Sequence, residues 1–301
     1  MIRTNRAIAL PLVLWSIAFL SALVVLVAGV VGSWIGDEGR AERVFRARQL
    51  ALSGIAIGLN PAVKPGDPLL RSGDKESEGF EVRLSDESGK INPNFWIAQN
   101  QRDIFLLLFD AWGVDSRLRD AAVDGLADWI DADDFRSLAG AERGEYEAVG
   151  RAGFPANRPL INIREMESIL GMDRVLASHE GWQGSFTTWH SGKINIQHAG
   201  EPVLTSLAGL TPEQCRALFE LRAGPDAVEG SEDDVKFESI EAAAGLIGAG
   251  GRALELLGEF FDVAGGVRRI ESTGYCGGTK HRIIAIAPEN GGGKVMSWEE
   301  E

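Results

Sequence analysis

The stretch AIALPLVLWSIAFLSALVVLVAGVV, residues 7–31, decides how this chain is organised. No charged residue occurs from Ala7 to Gly36, and this run exceeds the ~20 apolar residues that a helix needs to cross a bilayer. Two arginines precede the run, and Asp37 and Glu38 follow it. Because basic residues tend to stay on the cytoplasmic side, the sequence predicts a single-pass anchor with a cytoplasmic N-terminus and the bulk of the chain outside.

Two features of the apolar run leave alternatives open. A cleaved secretory signal usually has a shorter apolar part, about 7–15 residues, although small residues such as Ala28 and Gly29 permit cleavage. Pro11 removes a hydrogen bond from a continuous helix. Cleavage after Ala7 would place Pro11 in the first turn, where its N–H has no intrahelical acceptor. A kinked membrane helix explains the proline equally well.

The helical pattern continues beyond the apolar run. From Ala41 to Leu59, apolar residues recur at spacings of three, four and seven, with polar residues between them. Asn60-Pro61 then ends the pattern. The sequence therefore predicts one helix over residues 8–60, with 8–32 in the membrane and 33–60 packed on a folded domain.

Composition describes a folded, acidic protein. The chain has 301 residues, of which 45% are hydrophobic, and its 44 acidic against 30 basic residues give a net charge of −14. This charge argues against nucleic-acid binding. The only cysteines, Cys215 and Cys276, exclude a disulfide framework and a four-thiolate zinc site. Whether these two cysteines pair with each other stays open.

Beyond the long helix, the pattern changes from strand to helix and back to strand. Alternation predicts a strand over 80–85, after a loop at 61–79. Helical spacing follows over 95–176, 199–222 and 239–258. The chain ends in strand-like segments, at 268–276, 281–287 and 294–298. This order predicts an α+β fold, with one small sheet and an all-α insertion.

The acidic segment from Asp124 to Glu147 is the strongest candidate for a site. It contains eight acids against two arginines, a density that favours either a solvated loop or a shared hard cation such as Ca²⁺, which takes six to eight oxygen ligands. Phe135 and Arg136 occupy positions that an EF-hand cannot accept. The candidate ligands are Asp128, Asp131, Asp133 and Glu142.

Other motifs carry less chemistry. The sequence contains no nucleophile elbow, Walker A pattern or HExxH, so we expect no enzyme. Residues 207–222 resemble a helix-hairpin-helix, but their charge is balanced or acidic, which favours a packing role over DNA binding.

Several motifs in order resemble the minor pseudopilin K family of bacterial type II secretion systems. They are Arg6–Trp15, DESGKINPN at 86–94, DWIDAD at 128–133 with Gly140–Glu142, NRPL at 157–160, KINI at 193–196 and Ser297-Trp298. The resemblance implies a pseudopilin fold, in which a long N-terminal transmembrane helix packs on a small antiparallel sheet that carries a large inserted all-α domain. It divides the chain into a leader (1–7), the helix (8–60), the first part of the sheet domain (61–95), the α-domain (96–258) and the terminal strands (259–301).

The same resemblance implies a non-enzymatic function. The chain would be the tip subunit of the periplasmic pseudopilus that drives export of folded proteins across the outer membrane, anchored in the inner membrane before assembly. The implied partners are other minor pseudopilins, the prepilin peptidase and inner-membrane lipid, without nucleic acid or a small-molecule substrate. Calcium is implied in the periplasmic part, and we assign it to the acidic segment.

The resemblance also assigns the N-terminal positions. The peptidase would cleave between Ala7, where the family has Gly, and Ile8, which would then be methylated. Leu12 would be mature residue five, where most pilin-like subunits carry Glu. The alternative hypotheses are a signal-anchored periplasmic calcium-binding or helix-hairpin-helix interaction protein unrelated to secretion, and a periplasmic metal-dependent hydrolase.

Overall fold

The chain begins with one long helix and then alternates between strands and shorter helices. The computed structural model describes residues 6–190, 192–225, 227, 234–289 and 294–301, with side chains described outside 6–10 and 28–38. The helices are α1 (Arg6–Gly58), α2 (Pro93–Ala98), α3 (Asp103–Ala111), α4 (Ser116–Ile130), α5 (Arg143–Ala148), α6 (Met172–Ala177), α7 (Glu201–Ala208), α8 (Pro212–Ala223), α9 (Ile240–Leu246) and α10 (Arg252–Phe260). The strands are β1 (Arg71–Gly73), β2 (Glu78–Asp86), β3 (Ile194–Asn195), β4 (Phe261–Asp262), β5 (Val267–Cys276), β6 (Thr279–Pro288) and β7 (Ser297–Glu300).

The main sheet has five antiparallel strands in the order β1-β2-β5-β6-β7. Strands β5 and β6 form a hairpin, in which Cys276 pairs with Thr279. Strand β2 lies beside β5, from Glu78 opposite Cys276 to Asp86 opposite Arg268. Because β2 and β5 are neighbours in space but distant in sequence, everything between Asp86 and Val267 is an insertion into the sheet.

The second half of α1 packs on one face of this sheet. Buried Ala51 and Ile55 of the helix meet Val82, Ile270 and other apolar side chains of the strands. The approach is close, since a Cβ on Gly274 would collide with the backbone carbonyl of Ala47. Small residues at this contact let the helix backbone lie directly against β5.

The first half of α1 bears exposed apolar side chains. Leu12 is 64% exposed and Trp15 is 78% exposed. Of the helices whose side chains the structure describes, none is long and apolar enough to cross a bilayer. Residues 1–5 of the predicted leader lie outside the described residues. So do the side chains of Ala7, of Ile8 and of residues 9–10 and 28–32 in the predicted membrane segment.

The insertion is a separate helical body with its own core. Its largest fully buried side chains are aromatic, among them Trp129, Tyr146 and Phe105. The segment that resembles a helix-hairpin-helix is α7 and α8, joined through Gly209, whose φ of 63° is left-handed. Leu207 of α7 and Leu218 of α8 are buried, so the two helices pack against the core of the insertion.

Three details differ from the sequence interpretation. Strand β1 lies within the segment predicted as a loop, because its three residues are all exposed and carry no apolar alternation. The last strand begins at Ser297 rather than at residue 294. The two-residue strands β3 and β4, which pair in parallel, were not predicted. Cys215 and Cys276 are both buried and free, so they do not pair with each other.

Candidate functional site

The acidic segment joins the end of α4 to the start of α5. Asp128 lies in the last turn of α4 and is fully buried. Asp131 follows in an extended conformation that ends the helix. The carboxylate of Asp133 accepts a hydrogen bond from the backbone N–H of Phe135 (2.8 Å), which turns the chain back towards α5. Glu142 precedes α5 directly and is only 5% exposed.

Two carboxylates of α4 hold the loop 131–142 in place. The N–H of Ser137 donates to both oxygens of Asp128, at 3.1 Å each. The N–H of Ala139 donates to Asp124 (2.9 Å), whose other oxygen pairs with Arg102 (2.8 Å). A Cβ on Gly140 would collide with the Asp128 carboxylate, so the close approach needs glycine. The loop is therefore fixed by backbone contacts.

Several oxygens of this segment are buried without a hydrogen-bond donor. Among the described residues, neither carboxylate oxygen of Glu142 has a partner, and neither does Oδ1 of Asp131. Nearby, the Asn157 amide group donates to the carbonyl of Asp133 (2.8 Å), while its own Oδ1 has no partner. Buried acceptors are almost always satisfied in native proteins, so a group of orphans calls for an explanation such as a bound ion.

The carboxylates of the acidic segment repel one another. Burial raises the pKa of Glu142 to about 7, and the negative charges of Asp128 and Asp131 add to the rise. Burial also raises the pKa values of Asp128 and Asp131, although hydrogen bonds from Ser137 oppose the rise at Asp128. The segment thus holds a buried carboxylate, that of Glu142, whose ionised form receives no hydrogen bond from the described residues.

The four predicted ligands differ in how the structure places them. Asp128, Asp131, Asp133 and Glu142 all belong to one electrostatic group, since the first three all raise the pKa of Glu142. In the part of the chain that the structure describes, no three Asp, Glu, His or Cys side chains stand in a metal-holding arrangement. The ligand set stays a prediction. Sequence reasoning overlooked Asn157, because only the packing of the chain brings this residue to Asp133.

The fold defines a class of protein. A long N-terminal helix that lies on an antiparallel sheet, interrupted by a helical insertion, is the architecture that the resemblance implies for a pseudopilin. Residues 85–178 match the family model described as "Type II secretion system (T2SS), protein K". Over this stretch the chain is similar to the protein K family, as the resemblance in the sequence predicts. The recognition made from the sequence is confirmed.

The same fold occurs in a solved structure. The chain matches a chain of "The Crystal Structure of the GspK-GspI-GspJ complex from enterotoxigenic Escherichia coli Type 2 Secretion System", with a TM-score of 0.62 and 18% sequence identity. The match covers 90% of this chain and 99% of that chain. At this identity, the likeness shows the mixed helix-and-sheet fold. A comparison with curated proteins finds no match. No comparison supports the alternative of a calcium-binding or helix-hairpin-helix protein unrelated to secretion.

Proposed function

We propose that this chain is a minor pseudopilin of a type II secretion system. It would be a tip subunit of the periplasmic pseudopilus, where it assembles with other minor pseudopilins and serves export of folded proteins across the outer membrane. The observation that carries this proposal is the protein K match over residues 85–178, at the start of an insertion in a pseudopilin-like fold. The similar solved structure is a complex of GspK with GspI and GspJ, which supports association with other subunits. The proposed role is structural rather than enzymatic.

The exposed half of α1 supports an anchor in the inner membrane. Large apolar side chains from Leu12 to Val27 are between 47% and 78% exposed, so the described domain does not cover them. Lipid would cover them before assembly, and neighbouring subunits afterwards. Leu12 requires no cationic partner in either environment, unlike a glutamate at that position. We propose that the peptidase cleaves after Ala7 and that Ile8 becomes the methylated N-terminus.

Deletion of the gene tests the secretion role. We expect extracellular secretion of folded proteins to be lost and to return when the full chain is supplied. Intact secretion in the deletion strain would refute the role. Mass spectrometry of the membrane-derived chain tests processing, and we expect a mature N-terminus at Ile8. An Ala7→Gly variant should be processed at least as completely, whereas Ala7→Arg should keep its leader.

We also propose that the acidic segment binds Ca²⁺. The orphaned oxygens of Glu142 and Asp131 support this, because a hard cation with a flexible shell of six to eight oxygens would satisfy acceptors that no N–H reaches. Asp128 and Asp133 would complete the carboxylate set, and Oδ1 of Asn157 is a further buried acceptor without a donor. A bound cation would supply positive charge to a segment that contains eight acids and two arginines between residues 124 and 147.

Thermal unfolding of the full chain in detergent tests this site. Calcium at one hundred times its dissociation constant should stabilise the fold by about 2.7 kcal/mol relative to EDTA. The Glu142→Gln variant should lose most of this stabilisation. Its control is Glu147→Gln, an exposed acid of the same segment, which should keep it. If calcium leaves the unfolding of the wild-type chain unchanged, the site is wrong, while the secretion role is unaffected.

A further inference from the structure

The loop 131–142 displays two large apolar side chains to solvent. Leu138 is 97% exposed and Phe135 is 83% exposed. Among the described large apolar residues these are the highest values, above those in the apolar half of α1. Isolated exposed apolar residues are common, but two within one short loop form a local apolar surface. We call Phe135 and Leu138, with the loop between them, the display loop.

The display loop is held in its conformation by the helix beneath it. Backbone hydrogen bonds from Ser137 to Asp128 and from Ala139 to Asp124 lie on either side of Leu138. The N–H of Phe135 itself donates to Asp133. The exposure of the two side chains is therefore built into an anchored backbone. A surface that is ordered before binding loses little conformational entropy when a partner docks.

The charge around the display loop limits the partner. The segment 124–147 has a net negative charge, since it contains eight acids and two arginines. Both arginines are engaged, Arg136 with Glu145 (2.8 Å) and Arg143 with Asp134 (4.0 Å). In the described part of the chain, exposed Glu147 has no ion pair. A second copy of this chain would bring its own net charge of −14 and would be repelled. Anionic lipid headgroups would be repelled for the same reason.

We propose that the display loop docks a separate protein through a segment in which basic residues flank an apolar contact. Phe135 and Leu138 would supply the buried centre of this interface, and the surrounding carboxylates would select the partner by charge. This surface is distinct from the proposed cation ligands Asp128 and Glu142, which are buried.

Site-specific photo-crosslinking of the full chain in cells tests this interface. A photoreactive benzoylphenylalanine replaces Leu138, and a matched control places the same residue at exposed Leu246, in a helix whose only acid is Glu241. We expect an adduct at position 138 that is at least fivefold above the control. Mass spectrometry of the adduct should identify a segment of another protein that has net positive charge and an apolar contact residue.

Added positive charge in the acidic segment is the second part of the test. Ala139→Lys and Glu147→Lys change exposed side chains and leave the backbone hydrogen bonds of the loop intact. Together they should lower the adduct yield at least fivefold, with a melting temperature equal to that of the wild-type chain, whereas Glu241→Lys should leave the adduct yield unchanged. Adducts at the control level, or adducts to lipid, to a second copy or to an acidic segment, would overturn the proposal. Its failure would leave the secretion and calcium experiments untouched.

Discussion

Two buried glutamates, one beside the sheet and one in the insertion, have opposite surroundings. Glu87, just after β2, is 2% exposed and lies 2.7 Å from Nζ of Lys90 and 3.5 Å from Nη1 of Arg269. Glu142, just before α5, is 5% exposed, and both of its oxygens lack a hydrogen-bond partner among the described residues. Its charged neighbours are other carboxylates.

The difference shows that the two regions balance charge by different means. Beside the sheet, pairing continues from Arg269 to Glu271 (2.7 Å) and on to Arg282 (2.6 Å), so the protein supplies every counter-charge itself. These cations lower the pKa of Glu271 even though burial acts against them. In the insertion, burial and neighbouring negative charges both raise the pKa of Glu142, and no cation of the described residues is among the main causes of that shift. The buried carboxylate beside the sheet has cationic partners, whereas the buried carboxylate of Glu142 has no hydrogen-bond partner among the described residues.

The largest expected effect comes from removing the paired charge. Glu87→Gln leaves Lys90 without its carboxylate and leaves Arg269 with Glu271 alone, and we expect a loss of about 3 kcal/mol in the free energy of unfolding. Chemical denaturation in EDTA measures this. The same substitution at Glu142 should have the opposite sign above pH 7, because it removes a carboxylate that nothing compensates. If both variants are destabilised equally, the contrast between the regions is wrong.

The second prediction concerns pH. Because the pKa of Glu142 is about 7 in the folded chain and near 4.5 when unfolded, the native state holds more protons between these values. Its contribution is therefore fully present below pH 4.5 and is lost as pH rises towards 7. In EDTA, the stability of the wild-type chain relative to Glu142→Gln should fall by roughly 2 kcal/mol between pH 5 and 8. A difference that is independent of pH would contradict the assignment.

A third prediction tests the close contact between Gly140 and the Asp128 carboxylate. Gly140→Ala places a methyl group against the Asp128 carboxylate and should displace it from the N–H of Ser137, at a cost of about 1 kcal/mol. Calcium-dependent stabilisation should weaken as well. The control, Gly144→Ala in α5, has no atom within 4 Å of the added Cβ and should be neutral or slightly stabilising. Equal effects at the two glycines would show that the close contact is unimportant.

Much of the architecture could be predicted where the pattern is long. Alternation located the strand at 80–85, which the structure extends to Glu78–Asp86, and the mixed helix-and-sheet class is confirmed in its coarse form. Strand β1 and the β3–β4 pair could not be predicted, because two or three residues show no periodicity and their pairing depends on tertiary contacts.

The candidate site also has a part that could be predicted from the sequence and a part that could not. The acids Asp128, Asp131, Asp133 and Glu142 are visible from local composition, because they lie in one dense segment. Which of their oxygens lack donors depends on the path of the loop and on Asn157, which arrives from beyond α5. The cationic surroundings of Glu87 could not be predicted from the sequence either, because Arg269 lies near Glu87 only through the pairing of β2 with β5.

The smallest expected effect concerns an exposed ion pair, and it distinguishes the contribution of ion pairing from that of burial. Arg48 of α1 makes two hydrogen bonds to Glu300 of β7, at 2.7 and 2.8 Å, and Trp298 and His281 also contact this carboxylate. These contacts, led by that from Arg48, lower the pKa of Glu300 to about 2. A lowered pKa contributes stability that is present above pH 4.5 and is lost as pH falls towards 2.

This pair resembles the Glu87 cluster in geometry but lies in solvent, where ion pairs contribute little. Arg48→Gln should therefore raise the pKa of Glu300 towards its ordinary value, which a carboxyl-detected NMR titration would follow. The same variant should lower the melting temperature by less than half as much as Glu87→Gln. A loss as large as that of Glu87→Gln would mean that pairing itself, rather than the burial of the paired carboxylate, determines how strongly the sheet region depends on its ion pairs.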